Sequence, residues 1–201
     1  TFWIAIIDAD EFLFGVKEND LKKILTKYEM FPGVSINCLM FGSSNHFFTP
    51  TGLVIKNYTM RPEDSSSLHK CIKSIHNTNF LNTNSYVNPH FATYPSNLKA
   101  VNEYFEEIIL DKQPPYGVHS NKVSFDIFRI NHYKFKSIQD SVKKSSRITG
   151  WRPEYKNYLI RMQENDSQKQ VEDLTLFNKF NKYLLEHPKI EEKLSCSNRL
   201  D

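Results

Sequence analysis

The chain lacks any apolar run approaching the length of a membrane span, any marked excess of one charge, and all but three cysteines in 201 residues. The first absence excludes a transmembrane helix within this sequence. The second removes the electrostatic footprint of a nucleic-acid binder: 26 Lys and Arg oppose 23 Asp and Glu, and the excess of +3 is spread along the chain. Single-strand binders interleave aromatics with dense Lys and Arg, whereas the aromatic-rich stretches here carry few basic residues. The third speaks against a disulfide framework. Cys38, Cys71 and Cys196 are odd in number and irregular in spacing, so they read as reduced structural thiols, which fits a cytoplasmic protein. No internal repeat is visible.

What is present suits a packed domain. Hydrophobic residues make up 39% and aromatics 13% of the chain, too much for intrinsic disorder. The length allows one domain with a sizeable core, so residues 1–201 are read as a single mixed α/β domain. The opening is unusual. Thr1-Phe2-Trp3-Ile4-Ala5-Ile6-Ile7 has no initiator Met and enters an apolar run at once. Such a run is the pattern of a strand buried on both faces of an α/β sheet, and it needs neighbours. The expectation is that further sequence precedes Thr1.

Periodicity and turn residues predict the remaining elements. A short helix is expected over residues 19–28, with Leu21, Ile24, Leu25 and Tyr28 on one face and Asn19 or Asp20 as cap. Strands are expected over residues 34–41, 53–58, 70–75 and 122–130, and an extended stretch over 85–94. Residues 77–84 are an Asn-rich loop, and 101–109 fit a short helix ended by Pro114-Pro115. A helical C-terminal segment covers about 137–195, with Leu174, Phe177, Phe180 and Leu184 spaced for one apolar face.

Chemistry enters at Asp8-Ala9-Asp10-Glu11-Phe12, directly after the first strand. In open α/β sheets ligands bind beyond the carboxyl ends of strands. Two carboxylates there offer hard oxygen ligands for Mg2+ or Mn2+, and the ion can bridge the phosphates of a nucleotide. Phosphatases of the haloacid dehalogenase type place a similar Asp-x-Asp after a strand, the first Asp being a nucleophile. Their pattern continues with a small pair such as Gly-Thr and needs a later acidic pair. Here Glu11-Phe12-Leu13 comes next, and no Asp-Asp or Gly-Asp occurs in the chain. We reject that reading.

Several segments together resemble one family. Trp3 to Phe12 resembles the metal-binding strand of glycosyltransferases of the family 2-like and family 92 groups. Phe41-Gly42-Ser43-Ser44-Asn45-His46 is similar to their Phe-Gly-Ser-Ser-x-His segment, and Pro50-Thr51-Gly52-Leu53-Val54 to the stretch just C-terminal to that segment. Lys70-Cys71-Ile72-Lys73 and Pro89-His90 resemble later landmarks, and Ile130-Asn131-His132-Tyr133 with Lys136-Ser137 the closing motif. Order and spacing match from residue 3 to about residue 147, with Ala9 and Lys73 as departures. The resemblance implies a GT-A (Rossmann-like) fold, a mixed sheet flanked by helices, lacking most of its N-terminal nucleotide-binding half.

It also implies an activity: transfer of a sugar from a nucleotide-sugar donor to a glycan or other hydroxyl acceptor, with Mn2+ or Mg2+ and with inversion. Asp10 would coordinate the metal, Asp8 the metal, its waters or the donor ribose, and a neutral His132 would complete the metal shell. His46 sits in a small-residue turn where backbone can approach a sugar, and it is a candidate for sugar contact or for the base. His90 is a second candidate sugar contact, and Lys136 would meet diphosphate charge. The base stays open among Glu11, His46 and Asp126. Each His and Lys also has a plain structural reading. If the chain belongs to a longer membrane-anchored protein, the Golgi lumen replaces the cytoplasm. The competing function is a carbohydrate-binding or scaffold domain that keeps the fold without turnover. A donor site built partly upstream leads us to expect weak nucleotide-sugar binding by this chain alone. It also leads us to expect an exposed sheet edge and apolar surface around residues 4–7.

Overall fold

The structure is a computed structural model, and it describes residues 2–111, 119–120, 122–146, 157–188 and 190. In chain order the elements are β1 (Trp3–Ala5), β2 (Glu11–Gly15), α1 (Leu21–Leu25), β3 (Gly33–Met40), α2 (Val54–Asn57), β4 (Met60–Pro62), β5 (Ile72–Asn77), β6 (Leu110–Asp111), β7 (His119–Ser120), β8 (Phe128–His132), α3 (Ile138–Ser146), α4 (Tyr158–Asp166), β9 (Gln170–Glu172) and α5 (Thr175–Glu186). Five strands form one sheet in the order β1-β5-β3-β8-β2. β3 runs parallel to β8 and every other neighbouring pair is antiparallel. The pairs β4–β9 and β6–β7 stand apart. The protein is thus mixed α/β, with helices about a mixed sheet. No helix among the described residues is long and apolar enough to cross a membrane.

β3 organises the core because all eight of its residues are buried. Its alternation divides the interior. Val34, Ile36, Cys38 and Met40 pack with Tyr28, Ile75, Phe128 and Ile130 on one face. Leu39 and Phe41 pack with Ile55, Tyr58, Phe125 and Tyr133 on the other. Helix α1 starts where Asp20 accepts the backbone N–H of Lys22 and Lys23, at 2.9 and 3.4 Å, the capping expected of Asp at that position.

Local chemistry overrides several sequence expectations. Residues 53–58 are not a strand. One helical turn, α2, lets Ile55 and Tyr58 enter the second core three residues apart. Residues 101–109 are not a helix either. The Asn102 Oδ1 accepts the backbone N–H of Tyr104 and Glu106, and Phe105 takes a φ of 66°, a side-chain turn that competes with helix. β8 begins only at Phe128, because the buried Glu103 carboxylate takes the amides of Asp126, Ile127 and Phe128 at 2.8–3.0 Å. The C-terminal segment is not helical throughout, because β9 interrupts it and the last helix starts at Thr175.

The opening segment corrects one expectation and agrees with another. β1 is not interior: it pairs with β5 alone, at the edge of the sheet. Ile4 is 44% exposed, and Phe2, Ile6 and Ile7 are exposed too, so apolar surface does lie along this edge. Cys196, Pro114-Pro115 and the portions of the C-terminal helical segment at 147–156 and beyond 190 lie outside the described residues.

Candidate active site

The sheet register gathers charged residues on the face that carries Ile36, Cys38 and Met40. Lys73 lies opposite Ile36, Ile130 beside Cys38, His132 beside Met40, and Glu11 opposite His132. Side chains alternate along a strand, so Lys73, Cys38, His132 and Glu11 share one face. The backbone then fixes the acidic segment at the end of β8. Tyr133 N–H donates to the Asp10 carbonyl at 2.9 Å, and Glu11 N–H to the Asp8 carbonyl at 3.0 Å. Asp8 N–H in turn donates to Glu11 Oε2 at 2.9 Å.

Lys73 is the cation that holds this turn. It is 3% exposed, and its Nζ lies 2.9 Å from Asp8 Oδ2 and 3.2 Å from Glu11 Oε2. Burial opposes ionisation of Asp8, but the Lys73 hydrogen bond and charge, with His132 and His90 behind them, carry its carboxyl below the usual range. Glu11 behaves oppositely. It is 4% exposed, and burial lifts its carboxyl above the usual range against the pull of the Asp8 amide and Lys73. His132 joins the two acids: Nε2 is 3.6 Å from Asp10 Oδ1, and Nδ1 is 3.4 Å from Glu11 Oε1. Burial, with Lys134 and Lys73 nearby, pushes His132 down to about 3. The ring is neutral at physiological pH, which is the form that ligates metals.

Beyond Asp10 the surface opens into a cavity of about 240 Å³ lined by Lys134, Lys136, Lys143 and Lys144 together with Asp140 and Tyr158. Lys144 Nζ is 3.9 Å from Asp10 Oδ2 and 4.8 Å from the centre of the Tyr158 ring. Burial lowers the Lys144 ammonium; Asp10 opposes this, while Lys134 and Lys136 add to it. Four ammonium groups beside so few carboxylates favour an anion, and phosphate oxygens meet that chemistry.

The residues singled out in the sequence therefore separate. Asp8, Asp10, Glu11 and His132 come together, and Lys136 lines the adjoining cavity. His46 and His90 do not line it. His46 Nε2 meets the Asn57 carbonyl at 2.9 Å and its ring packs edge-on against Tyr58, so it braces the loop before α2. His90 Nδ1 meets the Ile72 carbonyl at 2.7 Å, and a hydrogen bond with Cys71 raises its affinity for a proton despite burial. The Asp126 carboxylate accepts the Tyr104 hydroxyl. Sequence reasoning missed Lys73, Lys134 and Lys144, and took Cys38 for packing alone. The period of two along residues 36, 38 and 40 and along 71 and 73 was the available signal.

Asp10 and the neutral His132 bring an oxygen and a nitrogen donor within 3.6 Å at one edge; the carboxylate is the donor type that hard ions such as Mg2+ or Mn2+ take, and the imidazole is the softer of the two. Asp8 has one oxygen committed to Lys73, so it fits a water or hydroxyl contact better than direct ligation. No protein-family model matches the chain, and no curated protein matches it.

Proposed function

We propose that this chain is the metal-binding and acceptor-side part of a GT-A glycosyltransferase, moving a sugar from a nucleotide-sugar donor to a glycan or other hydroxyl acceptor. The observation that carries the reading is the placement of Asp10 in the wall of the lysine-lined cavity, with His132 Nε2 3.6 Å from its carboxylate. A carboxylate beside a cluster of lysines supports this reading, because a metal-bound nucleotide diphosphate would need both. The motif resemblance around Asp8-Ala9-Asp10-Glu11 and Asn131-His132-Tyr133 supports the same activity.

In this reading Asp10, with His132 beside it, would hold Mn2+ or Mg2+, and the ion would supply positive charge for the diphosphate leaving group. Lys136 and Lys144 would meet the remaining phosphate oxygens from the cavity wall. Lys73 keeps Asp8 ionised and aimed along the same edge, where it can accept a ribose hydroxyl or a metal-bound water. The cavity is smaller than sites that enclose a drug-sized ligand, about 300–1,000 Å³, so it suits the diphosphate and adjoining sugar rather than the whole donor.

The test is a transfer assay on the complete gene product, with a panel of nucleotide sugars and hydroxyl acceptors, with Mn2+ and with chelator. Metal-dependent nucleotide release coupled to acceptor glycosylation supports the proposal. Saccharide binding with no release from any donor supports the competing reading, a carbohydrate-binding or scaffold domain on the same fold.

A further inference from the structure

The inner side of His132 faces a second set of donors. One ligand atom each from Glu11, Cys38 and His132 lies within 4.8 Å of the others. Cys38 is fully buried, Glu11 nearly so. Two atoms in this cluster, Glu11 Oε1 and His132 Nδ1, are buried without a hydrogen-bond partner. Buried polar atoms are as a rule paired, and here two unpaired ones stand 3.4 Å apart. A carboxylate oxygen and an imidazole nitrogen at that separation are close enough to share one cation. The thiol of Cys38 approaches from the neighbouring strand, because Cys38 is in register with Ile130 on β8, two residues before His132.

From this we propose a transition-metal site, suited to Zn2+, formed by Glu11 Oε1, Cys38 Sγ and His132 Nδ1 on the interior side of the sheet end. The donor chemistry argues for zinc over the hard ions of the outer edge. Sulfur and imidazole select zinc and its neighbours, while Mg2+ and Mn2+ prefer oxygen. Zinc takes cysteine, histidine and carboxylate together in tetrahedral sites, at about 2.0–2.3 Å. On binding, the Cys38 thiol gives its proton to solvent, and the thiolate and the Glu11 carboxylate balance the two positive charges. Three protein ligands leave a fourth position for water. Glu11 keeps its other oxygen on Lys73 and the Asp8 amide, so the ligand is already oriented, and the other ring nitrogen of His132, Nε2, faces outward, 3.6 Å from Asp10 Oδ1.

The proposal does not rest on the transferase reading, and the two sites use different nitrogens of one ring. Zinc on Nδ1 of a neutral ring leaves the proton on Nε2, so it withdraws His132 from a metal at the outer edge. The inner site therefore antagonises a hard ion bound at Asp10.

The experiment is titration of the reduced, metal-free protein with Zn2+ against a chromophoric chelator, and with Co2+ followed by absorption. One equivalent of Zn2+ should bind, and Co2+ should give the intense near-ultraviolet band of thiolate-to-metal charge transfer. Cys38→Ala should abolish the band and weaken Zn2+ binding by roughly a hundredfold or more, since loss of a ligand exceeds loss of its supporting partner. Asp10→Asn should leave the band in place, and Cys71→Ala should too. A wild-type protein without the thiolate band overturns the proposal whatever the variants do. So does Zn2+ binding that survives Cys38→Ala intact, or that disappears with Asp10→Asn, which would place the ion at the outer edge.

Discussion

Replacing Lys73 by Met isolates the contact that holds the acidic turn together. Lys73 is buried and meets Glu11, whose side chain is wholly enclosed, at 3.2 Å, and Asp8, whose side chain is 64% exposed, at 2.9 Å. The Asp8 half is screened by water and contributes at most about 1 kcal/mol. The Glu11 half is different, because removing one member of a buried pair strands the other's charge, at about 3–5 kcal/mol. For a chain of 201 residues that loss lowers the unfolding midpoint by roughly 6–20 °C, at about 2–4 °C per kcal/mol. Two features identify the cause. Adding Glu11→Gln to Lys73→Met should recover most of the loss, since no buried charge remains. The deficit should also shrink on acidification. Glu11 already binds its proton more readily folded than unfolded, and losing Lys73 raises that preference; as pH falls through the folded value, the group neutralises and the penalty ends. Thermal and urea unfolding by circular dichroism at pH 7.5 and pH 5 read wild type and both variants. A Lys73→Met loss under about 1 kcal/mol, or one unchanged by pH and by the second substitution, would refute this reasoning.

Two other substitutions probe the frame around the site. Asp173 is buried and receives Arg61 at 2.8 Å, Arg129 at 3.0 Å and the Thr175 amide at 2.9 Å. Burial opposes its ionisation, but the Thr175 and Arg61 hydrogen bonds and the Arg129 charge carry it below the usual range. Its stabilisation is therefore present above the unfolded value of about 3.9 and lost as pH falls through the folded one. Asp173→Asn should cost about 3 kcal/mol at neutral pH and flatten the acid limb of stability, as urea titrations from pH 7 to pH 3 would reveal. Gly42→Ala would set a Cβ on Asp166 Oδ1 and Asn165 Nδ2 at the end of α4. Asp166 also receives the Ser43 amide, so a loss of about 1–3 kcal/mol is expected; an unchanged unfolding midpoint would contradict that packing. In a transfer assay, Lys136→Ala or Lys144→Ala should raise the donor KM more than it lowers kcat, whereas equal loss in both would assign these lysines to the reaction step alone.

Residues with strong local signals were legible in the sequence. The apolar run of β3, the Asp20 cap of α1 and the acidic segment at Asp8 and Asp10 each emerge from spacing and composition, and His132 was placed at the end of a strand by the alternation before it. The hidden features depend on partners far along the chain. The burial of Glu11 arises from Lys73, which is opposite Ile36 rather than near Glu11 in sequence. The late start of β8 arises from the Glu103 carboxylate. His46 reads as a sugar contact or base in its small-residue turn until the Asn57 carbonyl is brought to its ring. Ile4 lies on an edge although its sequence is that of an interior strand.

The central claim is tested most directly by donor binding measured calorimetrically on the complete gene product, with Mn2+ and with chelator, in wild type and Asp10→Asn. The account predicts nucleotide-sugar binding that requires the metal and vanishes in Asp10→Asn, with the unfolding midpoint of that variant preserved. Binding that persists in chelator, or that Asp10→Asn leaves intact, would contradict it.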